Sequence, residues 1–215
     1  MNIKLKTILE LSPNIDNLIV IYPGRFQPMG KHHVKVYEWM INEFGMKNSY
    51  ITTSNKVELP DSPFNFQEKR RIMLKNGISG RNIIECRSPY IPVELTENFN
   101  IDRTAAVLIV GHKDMDRFEH VGGKYHFQYL NEELTEFKPL AQNSYLLLAP
   151  HYSIQTEEGE MCGTVLRKLL TKEGTNFQEV MGWGDAELQE MISQKLKPQK
   201  IEETKKVYSM PFYIK

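Results

Sequence analysis

Residues 18–33, LIVIYPGRFQPMGKHH, decide the fold. The run 18–22 (LIVIY) is short, wholly apolar and rich in β-branched residues, the composition of a strand covered on both faces inside a parallel sheet. A glycine turn follows at Gly24. From His33 onward, Val34, Tyr37, Ile41 and Phe44 recur at helical spacing, with Trp39 and Met40 filling out the face, until Gly45 ends the pattern. Strand, glycine loop and helix in that order aim backbone N–H groups and the positive end of a helix dipole at the loop, an anion site whose natural guest is phosphate. Gly24 lets the backbone approach a ligand closely, while Arg25, Lys31, His32 and His33 are donors to phosphate oxygens. Stripped of its context, the same stretch is a tight turn carrying solvated charges.

Outward from this stretch the chain keeps alternating. Residues 50–53 predict a second strand, and a polar loop with Pro60 and Pro63 leads into a charged helix over about 66–76, closed by Gly77. Residues 83–87, 105–110 (AAVLIV) and 145–148 are further strands, the middle one apolar enough to be central. Helical patterns follow over 164–170, 177–180 and 185–196. Such alternation predicts an α/β fold, a Rossmann-like parallel sheet flanked by helices, with its ligand crevice beyond the carboxyl ends of the strands. We expect one main domain over 1–175 and a small C-terminal helical extension with a tail over 176–215. The polar, turn-rich segment 119–143 reads as a lid, an insertion or a mobile loop. The apolar end of the tail, VYSMPFYIK, reads as a docked terminus or a partner-binding strand.

A chain of 215 residues buries one substantial core. Its 27 basic and 27 acidic residues cancel, which removes the large field expected of a protein that wraps nucleic acid or lies on an anionic membrane. Nor is there a basic stripe interleaved with aromatics. Cys86 and Cys162 stand far apart and in no metal-ligand spacing, so neither a zinc site nor a disulfide scaffold is expected. His120, His126 and His151 likewise have no ligand spacing and read as surface residues. The first residues carry no long apolar run or cleavage-site pattern, and no stretch reaches the ~20 apolar residues that span a bilayer. The expectation is a soluble, cytoplasmic protein.

The string Gly24-Arg25-Phe26-Gln27-Pro28 resembles the start of the GRFQPxHxGH signature of nicotinamide-nucleotide adenylyltransferases and the wider cytidylyltransferase-like superfamily. Gly30 stands where the first signature histidine would be and His32 where the glycine would be, so HxGH has become GKHH. Two further segments carry the likeness. Met161-Cys162-Gly163-Thr164-Val165-Leu166-Arg167 is similar to the (I)S(G/S)TxxR motif, with Cys162 in place of serine, and Ser62-Pro63-Phe64-Asn65-Phe66-Gln67-Glu68-Lys69-Arg70 to the NPFTxxER segment of the archaeal-type enzymes. The likeness extends over about 19–170 and includes cytidylyltransferase-like proteins of large phages, whose location would be the host cytoplasm.

What this resemblance implies is a nucleotidyl transfer in which a phosphate-bearing acceptor attacks the α-phosphorus of a nucleoside triphosphate and pyrophosphate leaves. His33, Arg167, His32 and Lys31 would stabilise the departing charge. Gly24, Arg25, Phe26, Gln27, Gly111, Asp114, Gly163 and Thr164 would bind the nucleotide, with Thr164 capping a helix and Asp114 orienting a ribose, a base or a metal-bound water, or merely capping a turn. Lys56, Phe64 and Arg70 would contact the acceptor or its phosphate. Magnesium would accompany the triphosphate without protein ligands. ATP is favoured over CTP, and nicotinamide mononucleotide is the first acceptor to test. The alternative is a degenerate member that binds a nucleotide without turnover or serves as a structural or assembly module. Whether the protein forms a homo-oligomer is left open.

Overall fold

The computed structural model describes residues 10, 12–114, 118, 127–130 and 134–197. The tail beyond 197, His120, His126 and most of 115–126 lie outside them. The described chain runs β1 (Asn17–Pro23), α1 (Lys31–Phe44), β2 (Ser49–Thr53), α2 (Phe66–Lys75), β3 (Ile83–Glu85), α3 (Val93–Thr96), β4 (Thr104–Val110), β5 (Phe127–Tyr129) and β6 (Ser144–Leu148). A two-stranded ribbon, β7 (Gln155–Thr156) with β8 (Gly159–Glu160), comes next, then α4 (Gly163–Thr171), α5 (Phe177–Met181) and α6 (Ala186–Leu196). Six strands form one sheet in the order β3-β2-β1-β4-β6-β5, and every neighbouring pair is parallel. The expected Rossmann-like α/β sheet is therefore present.

Its central strands show why. All seven residues of β4 are buried. Because side chains alternate across a strand, Ala105, Val107 and Ile109 enter one core layer while Ala106, Leu108 and Val110 enter the other. β1 divides likewise, Leu18 and Val20 to the first layer and Ile19 and Ile21 to the second. Each of the valines, leucines and isoleucines among them contributes roughly 1.5–3 kcal/mol by leaving water. The first layer is covered by α1, which turns Val36, Tyr37, Met40 and Phe44 inward. The second layer is thinner, with Leu95 of α3 and the aromatics Phe99, Phe118 and Phe127 packed on it.

Several boundaries shift from the sequence expectation. α1 begins at Lys31 rather than His33, because the carbonyl of the extended Gly30 already accepts the N–H groups of His33 and Val34. The strand expected over 83–87 stops at Glu85. The segment 119–143 contains an edge strand, β5, pairing parallel with β6. Its alternation is too short to read in FQY. Gly45 and Gly77 end their helices as expected, both at φ 81°, a backbone region that disfavours side chains. The helices of the expected extension pack into the first core layer: Phe177, Met181 and Ile192 join Leu166, Leu169 and Leu170 there. Among the described residues no helix is long and apolar enough to cross a membrane.

Candidate functional site

A cavity of about 540 Å³ opens beyond the carboxyl ends of the strands. Loops following β1, β2, β3, β4 and β6 reach it, together with the starts of α1 and α4. Of the residues expected at the site, Gly24, Arg25, Phe26, Gln27, His32, His33, Gly111, Asp114, Gly163 and Arg167 line it.

The loop after β1 is held by three different means. The Gly24 N–H donates to the Thr52 carbonyl at 3.1 Å. A Cβ at Gly24 would lie 2.8 Å from the Phe26 ring, so only glycine fits beneath that ring. Phe26 itself adopts φ 45°, a left-handed conformation uncommon for a bulky residue and retained where the surroundings enforce it. Its buried ring stands edge-on to His33, centroids 5.2 Å apart, and to Tyr22 at 5.3 Å. Phe26 thus props the His33 imidazole from behind.

Gln27 is the third fastening. Its side-chain nitrogen donates to the Phe64 carbonyl at 3.0 Å, and its oxygen accepts the Phe64 N–H at 2.8 Å. This reciprocal pair, buried at both ends, locks the glycine loop to the Ser62-Pro63-Phe64 segment, while the Gln27 carbonyl accepts Arg167 Nη1 at 3.2 Å. Replacing Gln27 by alanine leaves two buried peptide groups of Phe64 unpaired, so a loss of about 2–4 kcal/mol is expected. Denaturant unfolding measures it. An unchanged midpoint would show that water replaces both bonds at no cost.

The two histidines lie together at the start of α1. Their ring centroids are 3.8 Å apart and tilted by 39°. His33 Nδ1 accepts the Gly30 N–H at 3.2 Å, whereas His32 Nδ1 is buried without a hydrogen-bond partner among the described residues. Burial pushes the His32 imidazole down to about 4, and burial with His32 alongside holds His33 well below the usual imidazole range. Both rings are neutral at pH 7. Between the unfolded value of 6.5 and about 4, the unfolded chain takes up protons that the folded rings refuse, so stability must fall as the pH drops through that window. Thermal midpoints measured from pH 7 to pH 4 are expected to decline, and the His32→Gln variant to decline less. Parallel curves for the two proteins would contradict this account.

Arg167 reaches the cavity from one turn inside α4, with Asp61 Oδ1 3.9 Å from its Nη2. Cys162, extended at φ −144°, is the residue that precedes α4, and the helix starts at Gly163. Thr164 is therefore exposed at the second helical position instead of capping the helix, and it does not line the cavity. Lys31 is drawn away too: its ammonium donates to the Glu179 carbonyl on α5. Lys56 pairs with Glu58 at 2.6 Å and faces a separate depression. Phe64 is fully buried in the core, and Arg70 lies against Gly80. Thr164, Lys31, Lys56, Phe64 and Arg70 thus stand outside the cavity.

Other lining residues carry no motif: Asp61, Tyr90, His112, His151, Tyr152 and Glu160. Tyr90 lies in the loop after β3, and His151 and Tyr152 follow β6 by a few residues, so the crevice rule applied to every strand would have found them. His151 Nε2 is 2.7 Å from Glu160 Oε1. Tyr22 is forced above the usual phenol range by burial, with Asp114 and Tyr90 adding to the shift. Among the described residues no group of three or more His, Cys, Asp or Glu side chains is arranged to hold a metal ion.

A six-stranded parallel sheet with its cavity at the strand ends defines the class, a Rossmann-like α/β fold. Its solved neighbours are nicotinate- and nicotinamide-nucleotide adenylyltransferases. The bifunctional NMN adenylyltransferase/ADP ribose pyrophosphatase of Francisella tularensis aligns with a TM-score of 0.52 and 11% identity over 85% of this chain, which spans 50% of that longer one. The nicotinic acid mononucleotide adenylyltransferase of Plasmodium falciparum, solved with NaAD, aligns at 0.48 and 16% over 83% of this chain and 95% of its own. No family model matches the sequence. No curated protein matches it either.

Proposed function

We propose that the protein is a nucleotidyltransferase that passes a nucleoside monophosphate from a triphosphate to a small phosphate-bearing acceptor. The observation that carries this is the convergence of the α1 and α4 starts, Arg25, Arg167 and the stacked His32–His33 pair on one cavity. Exposed backbone N–H groups at two helix starts and two permanent guanidiniums form a receptor for a polyphosphate. An acceptor phosphate oxygen attacks the α-phosphorus, the bond to the α–β bridging oxygen breaks, and pyrophosphate leaves with that electron pair. Such a transfer needs alignment and charge stabilisation and no protein nucleophile. Arg167 and the imidazoles supply the stabilisation, and the magnesium ion enters as part of the triphosphate substrate. AMP is favoured over CMP, and nicotinamide mononucleotide is the first acceptor, on the resemblance of the GRFQP and SPF segments.

Purified protein is incubated with ATP or CTP, magnesium and nicotinamide or nicotinic acid mononucleotide, and pyrophosphate is followed. Release that depends on both partners and is lost in the Arg167→Ala variant supports the proposal. Release no greater than that variant's, across this acceptor set, removes the enzymatic reading for it. Binding without turnover is the second reading, and it draws on one feature: position 30 offers no imidazole.

A further inference from the structure

Lys69 is the one charged residue wholly enclosed among the described residues, 1% exposed. Its ammonium donates to Thr53 Oγ1 at 2.9 Å and to the Ser54 carbonyl. Burial pushes it down to about 8, while Cys86 and Glu85 act the other way. Enclosing a charge this completely is unfavourable unless its donors are satisfied, and replacement by an apolar residue of similar volume is often neutral for stability. General stabilisation is thus a poor account of a lysine at this place.

What the ammonium touches suggests another role. Thr53 is the last residue of β2. Its hydroxyl, accepting from Lys69, donates to the Arg25 carbonyl at 3.4 Å. Next to it, the Thr52 carbonyl accepts the Gly24 N–H, and the Thr52 hydroxyl donates to the Pro89 carbonyl at 2.7 Å, one residue before the cavity-lining Tyr90. The end of β2 is therefore a junction between the glycine loop, the loop that carries Tyr90, and α2. With its proton committed to Arg25, the Thr53 oxygen needs a donor from the other side, and Lys69 supplies it. The neighbouring Phe26 at φ 45° is the residue that such fastening has to hold in place.

We propose that Lys69 is a positioning residue for the nucleotide loop, holding Gly24, Arg25 and Phe26 in their cavity-facing conformation through the Thr53 hydroxyl. Its consequence for catalysis rests on the nucleotidyltransferase reading; its consequence for the loop does not.

The test uses the full chain and two measurements. Hydrogen–deuterium exchange compares wild type with Lys69→Met, Thr53→Val and Thr53→Ser. The first two variants are expected to raise exchange about tenfold at the Gly24–Phe26 amides, the scale of one ordinary hydrogen bond, with β4 unchanged. Thr53→Ser, which keeps the hydroxyl, is expected to retain wild-type exchange. Triphosphate affinity is then expected to fall about tenfold in Lys69→Met and Thr53→Val and to persist in Thr53→Ser. Unchanged exchange at Gly24–Phe26, or an equal rise in β4 that marks general loosening, overturns the proposal. Should Lys69→Met fail to fold, the Thr53→Val and Thr53→Ser pair decides on the same criteria. A wild type that binds no triphosphate counts against the proposed function alone, since the exchange result still confirms or overturns the role of Lys69.

Discussion

Arg167→Ala is expected to lower kcat/KM for pyrophosphate release by about 100- to 1,000-fold, the effect of removing one preorganised donor from a transition state that gathers charge. Among the described residues the Arg167 guanidinium has one carbonyl acceptor, on Gln27, and one carboxylate neighbour, Asp61, 3.9 Å away. The planar fork is pre-aligned over the loop and free to take two phosphate oxygens. Loss should appear in kcat as well as KM, because phosphate charge shifts toward the leaving group as the bond breaks. A thermal midpoint within a degree or two of wild type would confirm that the fold is intact. A rate within threefold of wild type would remove Arg167 from the mechanism.

The second large effect concerns the place where the resemblance departs. Introducing a histidine at position 30 is expected to cost stability and to yield no gain in rate. A Cβ there would lie 2.6 Å from Leu166 Cδ2 and 3.3 Å from the His32 ring. Leu166 is fully buried in the main core, so it cannot swing into solvent. Overpacking a site of this kind typically costs about 1–3 kcal/mol, and in a chain of this size each kcal/mol moves the midpoint by about 2–4 °C. Because Leu166 directly precedes Arg167 on α4, relief of the clash would shift the arginine as well. Thermal unfolding and pyrophosphate release of Gly30→His measure both consequences. A variant as stable as wild type and faster than it would mean that α4 adapts freely, contrary to the packing seen.

The fold was legible wherever burial alone dictates sequence. LIVIY and AAVLIV read as inner strands, and Gly45 and Gly77 marked their helix ends by backbone need. β5 was not legible, since three residues, of which Phe127 alone packs on the core, are too few to show an alternation. At the site, the glycine loop and Arg167 were readable because strand-to-helix turns and helix starts follow local rules. The direction of Lys31 was not, as it depends on where α5 happens to offer a carbonyl. The helix cap misplaced on Thr164 turned on a single residue's extended backbone. Gln27 and Lys69 illustrate a harder case: their bonds span 37 and 16 residues, so the sequence displays the donors without their acceptors. Asp61, Tyr90 and Tyr152 become neighbours only when the strand ends meet.

The two-sided burial of β4 bears on the history of the chain. An inner strand accepts nearly any aliphatic residue of suitable volume at each position, so drift can rewrite it while the sheet survives. This chain shares its fold with the Francisella structure at 11% identity, so a sheet of this shape does not need a particular set of strand residues. The glycine loop is less free: a Cβ at Gly24 would meet the Phe26 ring, Phe26 holds φ 45°, and Gln27 is bonded twice to Phe64. Substitution is then expected to be tolerated least in the most irregular segment of the protein.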